Sequence, residues 1–218
     1  MLKKEDVYYT NEEGIGHKMR KARMKIFLDL LAKVPKPVRM LDIGGTEDFW
    51  KKMEFDEPQV EIVCANLFTF EPKLPFIKSV KADATNMPEF GDKEFDVVFS
   101  NSVIEHVYTL ENQVKMANEI RRVGKRYFVQ TPSRYFPMEP HFLRIYWQFY
   151  PVALRKKMLM SGDVGFIKQQ ATEEDALREI EEIRLMTEKE MRECFPEASL
   201  VKEKFKGLTK SYMVHFGF

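Results

Sequence analysis

The sequence predicts an α/β fold, a mostly parallel sheet with helices on both faces. Three observations predict it. Short apolar runs recur without clean alternation, as expected of strands covered on both faces. Helix-periodic segments separate several of them, which implies parallel strands joined by crossovers. The first run, Val38-Arg-Met-Leu-Asp-Ile43, breaks into Gly44-Gly45 and then a helix-like stretch. Such a turn lets bare backbone approach a ligand, because glycine has no Cβ. Asp42 beside it can orient a polar group of the same ligand. A turn of this kind opening an α/β unit suits a nucleoside-containing cofactor.

Residues 16–34 read as a helix, with Met19, Ala22, Ile26, Phe27, Leu30 and Leu31 on one stripe. Its other face carries Lys18, Arg20, Lys21, Arg23 and Lys25. That face is either solvated or meets an anionic substrate or a cofactor carboxylate. Pro35 and Pro37 stop the helix. Strands are expected at 38–43, 60–65, 77–81, 95–100 and 125–130. Helices are expected from Thr46 to about Phe55 and from Thr109 to Val123, the latter with Thr109 as N-cap and Gly124 at C′. The stretch 133–186 reads as a helical insertion over the sheet edge, too short for a core of its own. Within it Phe142, Ile145, Tyr146 and Phe149 are placed on one helical face, and Thr172-Glu-Glu-Asp175 starts an acidic helix. Thr187-Glu-Lys-Glu190 opens another through a capping box. Segments 199–206 and 210–217 read as a terminal β-hairpin. The whole, residues 1–218, is expected to be one domain.

Composition narrows the function classes. The formal net charge of +1 gives no global case for nucleic-acid binding. Hydrophobic residues at 44% and charged residues at 32% describe a globular protein and argue against disorder. Cys64 and Cys194 lie far apart and are expected as buried free thiols in a reducing compartment. The N-terminus, Met1-Leu-Lys-Lys-Glu-Asp6, lacks the apolar stretch of a signal peptide. No apolar run approaches the ~18 residues of a membrane span. The expected location is cytoplasmic, with no stable membrane insertion.

Four motifs then carry a resemblance. They are Leu41-Asp-Ile-Gly-Gly45, Val63-Cys-Ala-Asn-Leu67, Lys81-Ala-Asp-Ala84 and Phe95-Asp-Val-Val-Phe-Ser-Asn-Ser-Val-Ile-Glu-His-Val107. In order and spacing they resemble the class I S-adenosylmethionine-dependent methyltransferases, closest to the small-molecule, ubiquinone-biosynthesis-like group. The resemblance covers roughly residues 36–132 and 187–218. It implies a Rossmann-like, seven-stranded, mostly parallel sheet with an antiparallel last strand, and this chain has seven strand candidates. It also implies S-adenosyl-L-methionine as cofactor, held by Asp42, Gly44 and Gly45. Asn66 and Leu67 are then expected at the ribose, Asp83 and Ala84 at the adenine, and Asn101 and Ser102 after the fourth strand. Two departures stand out. The fuller glycine pattern is reduced to Asp42-Ile-Gly-Gly-Thr-Glu-Asp48, which brings Thr46 or Glu47 near the cofactor. The family's ribose acid is Asn66, an uncharged amide, so Asn66→Asp is expected to retain or improve cofactor affinity.

Methyl transfer needs alignment and often removal of a proton. His106 is one candidate base; its alternative role is to orient the turn after the fourth strand. His141 is the second candidate, in Gln130-Thr-Pro-Ser-Arg-Tyr-Phe-Pro-Met-Glu-Pro-His141. This loop is either a proline-rich connection or a substrate loop, with Arg134, Tyr135 and Glu139 contacting the acceptor and Tyr135 and Phe136 walling the pocket. The aromatics beyond it are core, a lid, or a membrane-surface helix. Four histidines without a ligand pair give no expected metal site. The expected partner is a small-molecule substrate, with no nucleic acid and a homodimer left open. The reading is methyl transfer to an oxygen or nitrogen. Its alternatives are a protein or RNA methyltransferase and a silent partner subunit. A nicotinamide dehydrogenase is disfavoured, because GxGxxG is absent after the first strand.

Overall fold

The structure, a computed structural model, describes residues 15–218; the N-terminal leader question lies outside the described residues. Helix α1 (Ile15–Leu31) precedes β1 (Val38–Ile43), α2 (Glu47–Lys52), β2 (Val60–Asn66), β3 (Ile77–Lys81) and β4 (Val97–Asn101). A 3-10 turn (Ile104–His106) leads to α3 (Leu110–Val123) and β5 (Tyr127–Pro132). The insertion holds β6 (Met138–Glu139), β7 (Arg144–Ile145), a second 3-10 turn (Trp147–Phe149), α4 (Val152–Ser161) and α5 (Glu173–Glu182). Helix α6 (Glu188–Cys194) and a hairpin of β8 (Ser199–Phe205) and β9 (Leu208–Phe216) follow.

The main sheet has seven strands in the order β3-β2-β1-β4-β5-β9-β8. The first five run parallel, and β9 is antiparallel to both β5 and β8. This is the α/β sheet expected from the sequence. The chain winds outward from β1 to β3, then returns to β4 on the other side of β1. Strand order reverses there, and loops at the carboxyl ends part to leave a crevice.

Successive strand residues face opposite layers. Leu41, Val63 and Val98 bury against Met116 and Ile120 of α3. Met40, Ile62 and Phe99 bury against Phe27 and Leu31 of α1 and Trp50 of α2. Met24 packs inward on α1, whereas the expected Ala22 is exposed. Threonines start four helices as local chemistry dictates: the side chains of Thr46, Thr109, Thr172 and Thr187 each accept a backbone N–H three residues on. The capping box at Thr187 is complete. Gly124 ends α3 in an extended conformation, not the left-handed one expected. Both cysteines are buried and free. No helix among the described residues is long and apolar enough to cross a membrane.

Two expectations about the insertion are corrected. Residues 141–150 do not form a helix. Leu143 and Tyr146 adopt left-handed φ of 49° and 53°, and Met138–Glu139 pairs with Arg144–Ile145 as a short ribbon. The insertion also has a core of its own, in which Phe142 stacks on Trp147 at 4.4 Å against Leu159, Val164, Ala176 and Ile180.

Candidate active site

A cavity of about 730 Å³ opens at the carboxyl ends of β1, β4 and β5. Asp42 to Thr46 and Phe49 form one wall, and Asn101, Ser102 and Val103 another. Pro132, Ser133, Phe136, Met138 and His141 close it from the insertion side. The last wall combines His17, Arg20 and Arg23 of α1 with Glu203, Lys210 and Ser211 of the hairpin.

The glycine turn is built by close packing. Gly44 has φ 74° and donates its N–H to Ala65 O at 2.8 Å. A Cβ on Gly44 would lie 2.4 Å from Val103 Cγ2, and one on Gly45 would lie 1.8 Å from Asp42 Oδ2. Both positions therefore require glycine. Asp42 is 2% exposed, and Trp50 Nε1 donates to its Oδ2 at 2.7 Å. Burial pushes its pKa up to about 8, with the Trp50 hydrogen bond opposing.

The expected adenosine contacts lie outside this cavity. Asn66 is committed locally: its Nδ2 donates to Gly45 O at 2.7 Å. The amide is used as a donor, which a carboxylate cannot be, so Asn66→Asp would lose this bond. Leu67, 71% exposed, follows on the surface. Asp83 Oδ1 accepts from the N–H and the hydroxyl of Thr85, each at 2.8 Å. Ala84 is half-buried against the core. Thr46 reaches the cavity, whereas Glu47 turns away and accepts from the Lys73 and Leu74 N–H groups. After β4, Asn101 Oδ1 accepts from Arg23 Nη1 at 3.4 Å. Ser102 holds a φ of 57° while its hydroxyl donates to Gln130 Oε1 at 2.9 Å. Non-glycine residues keep such a conformation only where their surroundings fix it.

The two candidate bases meet. The rings of His106 and His141 contact edge to face at 4.8 Å, but only His141 faces the cavity. Glu139 is 1% exposed and accepts from the backbone N–H groups of His141 and Phe142. Its other oxygen lies 2.7 Å from His141 Nδ1. Glu139 is thus engaged by His141 and Phe142 and, against expectation, does not line the cavity. His106 sits behind, with Nδ1 3.6 Å from Glu182 Oε1. Glu105 is fully buried, with Oε2 accepting from the Thr131 hydroxyl at 2.9 Å and Oε1 without a partner. Ligand atoms of Glu105, His106 and His141 lie within 4.8 Å of one another, close enough to surround one cation. Burial works against the charged His141 ring. The Glu139 hydrogen bond and charge outweigh it, joined by Glu105 and Glu182, and raise its pKa above the ordinary 6.5.

Arg134 and Tyr135 are also corrected. Neither lines the cavity: the Arg134 guanidinium lies 5.9 Å from the Phe149 ring, and Tyr135, 64% exposed, stacks on the same ring. Phe136 does form cavity wall, as expected. Glu203, Lys210 and Ser211 were not foreseen. Pairing of β9 with β5 brings Ser211 opposite Pro132, and nothing local to the hairpin sequence announces that. Glu203 lies 3.3 Å from Arg23 Nε and 3.7 Å from Lys210 Nζ, and accepts from the Ser211 hydroxyl at 2.8 Å. Burial lowers the Lys210 pKa, with Glu203 opposing and Arg23 and Arg20 adding to the decrease.

Comparison with known proteins agrees with this geometry. Residues 36–127 match the family model described as a methyltransferase domain. A 134-residue stretch is 37% identical to an uncharacterised protein of Mycobacterium tuberculosis, covering 51% of this chain and 42% of that one. The chain therefore spans less than half the length of this relative. The solved CurJ carbon methyltransferase superposes with a TM-score of 0.55 at 12% identity, over 92% of this chain and 54% of that one. A SAM-dependent methyltransferase from Aquifex aeolicus does so with 0.50 at 10% identity, over 99% and 98%. At these identities the likeness is one of fold. Residues 36–127 are thus similar to a methyltransferase domain, and the fold is one that S-adenosylmethionine-dependent methyltransferases share.

Proposed function

We propose that this protein methylates an oxygen or nitrogen of a small-molecule acceptor held in the cavity, with His141 taking up the acceptor's proton. One observation carries the reading: a single cavity joins the Asp42–Thr46 turn to His141, whose Nδ1 is engaged by Glu139. Its volume falls within the range of sites that enclose small molecules, ~300–1,000 Å³.

The residues fit the cofactor. Gly44 and Gly45 offer bare backbone, and Asp42 offers an oxygen that Trp50 leaves open. Asp42, Gly44, Gly45, Asn101 and Ser102 would hold it. Bound S-adenosylmethionine supplies a methyl group activated on a cationic sulfur. Asp42 would hold the cofactor as a carboxylate if a cationic group of it came to rest there, because a neighbouring cation offsets the desolvation of a buried carboxyl. Glu139 on Nδ1 fixes the His141 tautomer and leaves Nε2 to accept a proton. The charge gained on the ring is stabilised by Glu139, with Glu105 beyond it. Phe136 and Met138 exclude water around the reacting groups, and the Glu203–Lys210 wall suits an acceptor with a polar or ionisable end.

Methyl-tritiated S-adenosylmethionine tests this with a low-molecular-weight metabolite extract on one side and protein and RNA on the other. Label is expected in the small-molecule fraction. His141→Ala is expected to lower it by about 10²-fold or more, while S-adenosylhomocysteine affinity stays within about threefold, ~0.7 kcal/mol. Label in protein or RNA instead would assign a macromolecular acceptor. Absence of S-adenosylhomocysteine binding at millimolar ligand would favour a silent partner subunit.

A further inference from the structure

The insertion between β5 and α6 presents an unusual outer face. Fourteen large apolar side chains stand exposed among the described residues, and half of them lie between 135 and 154. They are contiguous where contacts can be traced. Tyr135 and Tyr146 both pack on the exposed Phe149 ring, at 6.2 and 6.3 Å between centroids. Met138 and Ile145 are cross-strand partners on the two-residue ribbon. Val152 and Leu154 follow at the start of α4, also exposed. The display is held in place. Left-handed backbone at Leu143 and Tyr146 shapes the ribbon's turn, and the Phe142–Trp147 core backs it. Positive φ at such residues persists only where the surroundings fix it.

The segment that carries this face is basic, and the acidic helix α5 beside α4 engages Lys156 alone of its cations. Residues 133–162 contain Arg134, Arg144, Arg155, Lys156 and Lys157 against one acid, Glu139, which is buried and engaged by His141. Lys156 pairs with Glu173, but Arg134, Arg144 and Lys157 form no ion pair among the described residues. Most cations elsewhere on the described surface face a carboxylate. Exposed aromatic rings and aliphatic tips beside unmatched cations suit the boundary of an anionic bilayer, where rings enter the headgroup layer and the cations meet phosphates. A protein partner would have to match a protruding ribbon and a helix start with a concave acidic surface. A lipid surface yields to such a shape without any complementary fold.

We infer that this face is a peripheral docking surface for the anionic face of a lipid bilayer. The inference is independent of the methyl acceptor and of the role of His141. Flotation of the full chain with vesicles tests it. One set is phosphatidylcholine alone and the other contains about a quarter phosphatidylglycerol, each at about 0.05 M and about 0.5 M salt. The protein is expected to float with the anionic vesicles at low salt, weakly at high salt, and not with phosphatidylcholine. The pair Ile145→Ser and Phe149→Ser is expected to weaken partitioning about tenfold, and Arg144→Glu with Lys157→Glu to abolish its preference for anionic lipid. S-adenosylhomocysteine affinity, unchanged in each, shows that the variants fold. No flotation with anionic vesicles at millimolar lipid overturns the inference. So does flotation that both variant pairs leave intact. A dimer in sedimentation equilibrium that Ile145→Ser with Phe149→Ser dissociates, without vesicle binding, would assign the face to a second copy of the chain.

Discussion

Asp42 combines burial, one hydrogen bond and a place on the cavity wall, and its carboxyl stays largely protonated until about pH 8. A cationic cofactor beside it must displace that proton. S-adenosylmethionine affinity is therefore expected to rise from pH 6 to pH 8 and then level off, with proton release visible as a buffer-dependent heat in calorimetry. Asp42→Asn should flatten the profile; an unchanged slope would place the proton elsewhere. The linkage to stability has a fixed sign. The raised pKa means that the neutral carboxyl's contribution is complete below 3.8 and is lost as pH rises through about 8. Asp42→Asn should accordingly raise the melting temperature more at pH 9 than at pH 5. His141 gives the complementary case. As a base it must be neutral, so turnover should fall as pH drops through a value above 6.5. In Glu139→Gln, burial acts on the ring with one carboxylate fewer, and the acid limb should move to lower pH. A limb that stays put in this variant would remove His141 from the reaction. That Asp42, Gly44 and His141 line the cavity was legible in the sequence, because each sits at or beyond the carboxyl end of a strand. The surroundings of Asn66, Arg134 and Tyr135 were not, because the partner of an amide, or the outward side of a loop, depends on residues brought near only by folding.

At the scale of elements, local chemistry and long-range pairing divide the outcome. Thr109, Thr172 and Thr187 marked helix starts correctly, since a side chain capping an N–H three residues away needs only its own segment. The aromatic stretch 141–150 looked helical by spacing and is a ribbon and a 3-10 turn, because pairing with Met138–Glu139 and positive φ at two positions leave no visible period. The β1–α2 turn depends on a tie from β2. Asn66→Asp deletes the bond from Nδ2 to the Gly45 carbonyl and sets a carboxylate against that oxygen. We expect a stability loss on the order of 1–3 kcal/mol in urea denaturation, together with weaker S-adenosylhomocysteine binding. Equal or higher stability would show that the turn stands without this tie.

Across the whole molecule, strand order puts every cavity wall at one edge of the sheet. The alternation of short apolar runs and helices foretold the parallel sheet, and the family resemblance implied the antiparallel final strand. Neither could foretell that the first helix and the terminal hairpin meet over the cavity. Arg23 of α1 and Glu203 of β8, both largely buried, lie 3.3 Å apart across that gap. A bridge so placed acts on time more than on affinity. A ligand that leaves past this wall must wait for the two elements to part, so on that route the contact governs dwell time for the cofactor and its demethylated product alike. Glu203→Gln is expected to speed S-adenosylhomocysteine dissociation about tenfold, ~1.4 kcal/mol in the barrier, with a smaller change in the association rate. Stopped-flow fluorescence of Trp50, which touches Asp42 in the turn, would follow both rates. If dissociation is unaltered, ligands depart by another route. If it quickens, the release of spent cofactor is timed by a helix that belongs to none of the four motifs on which the resemblance rests.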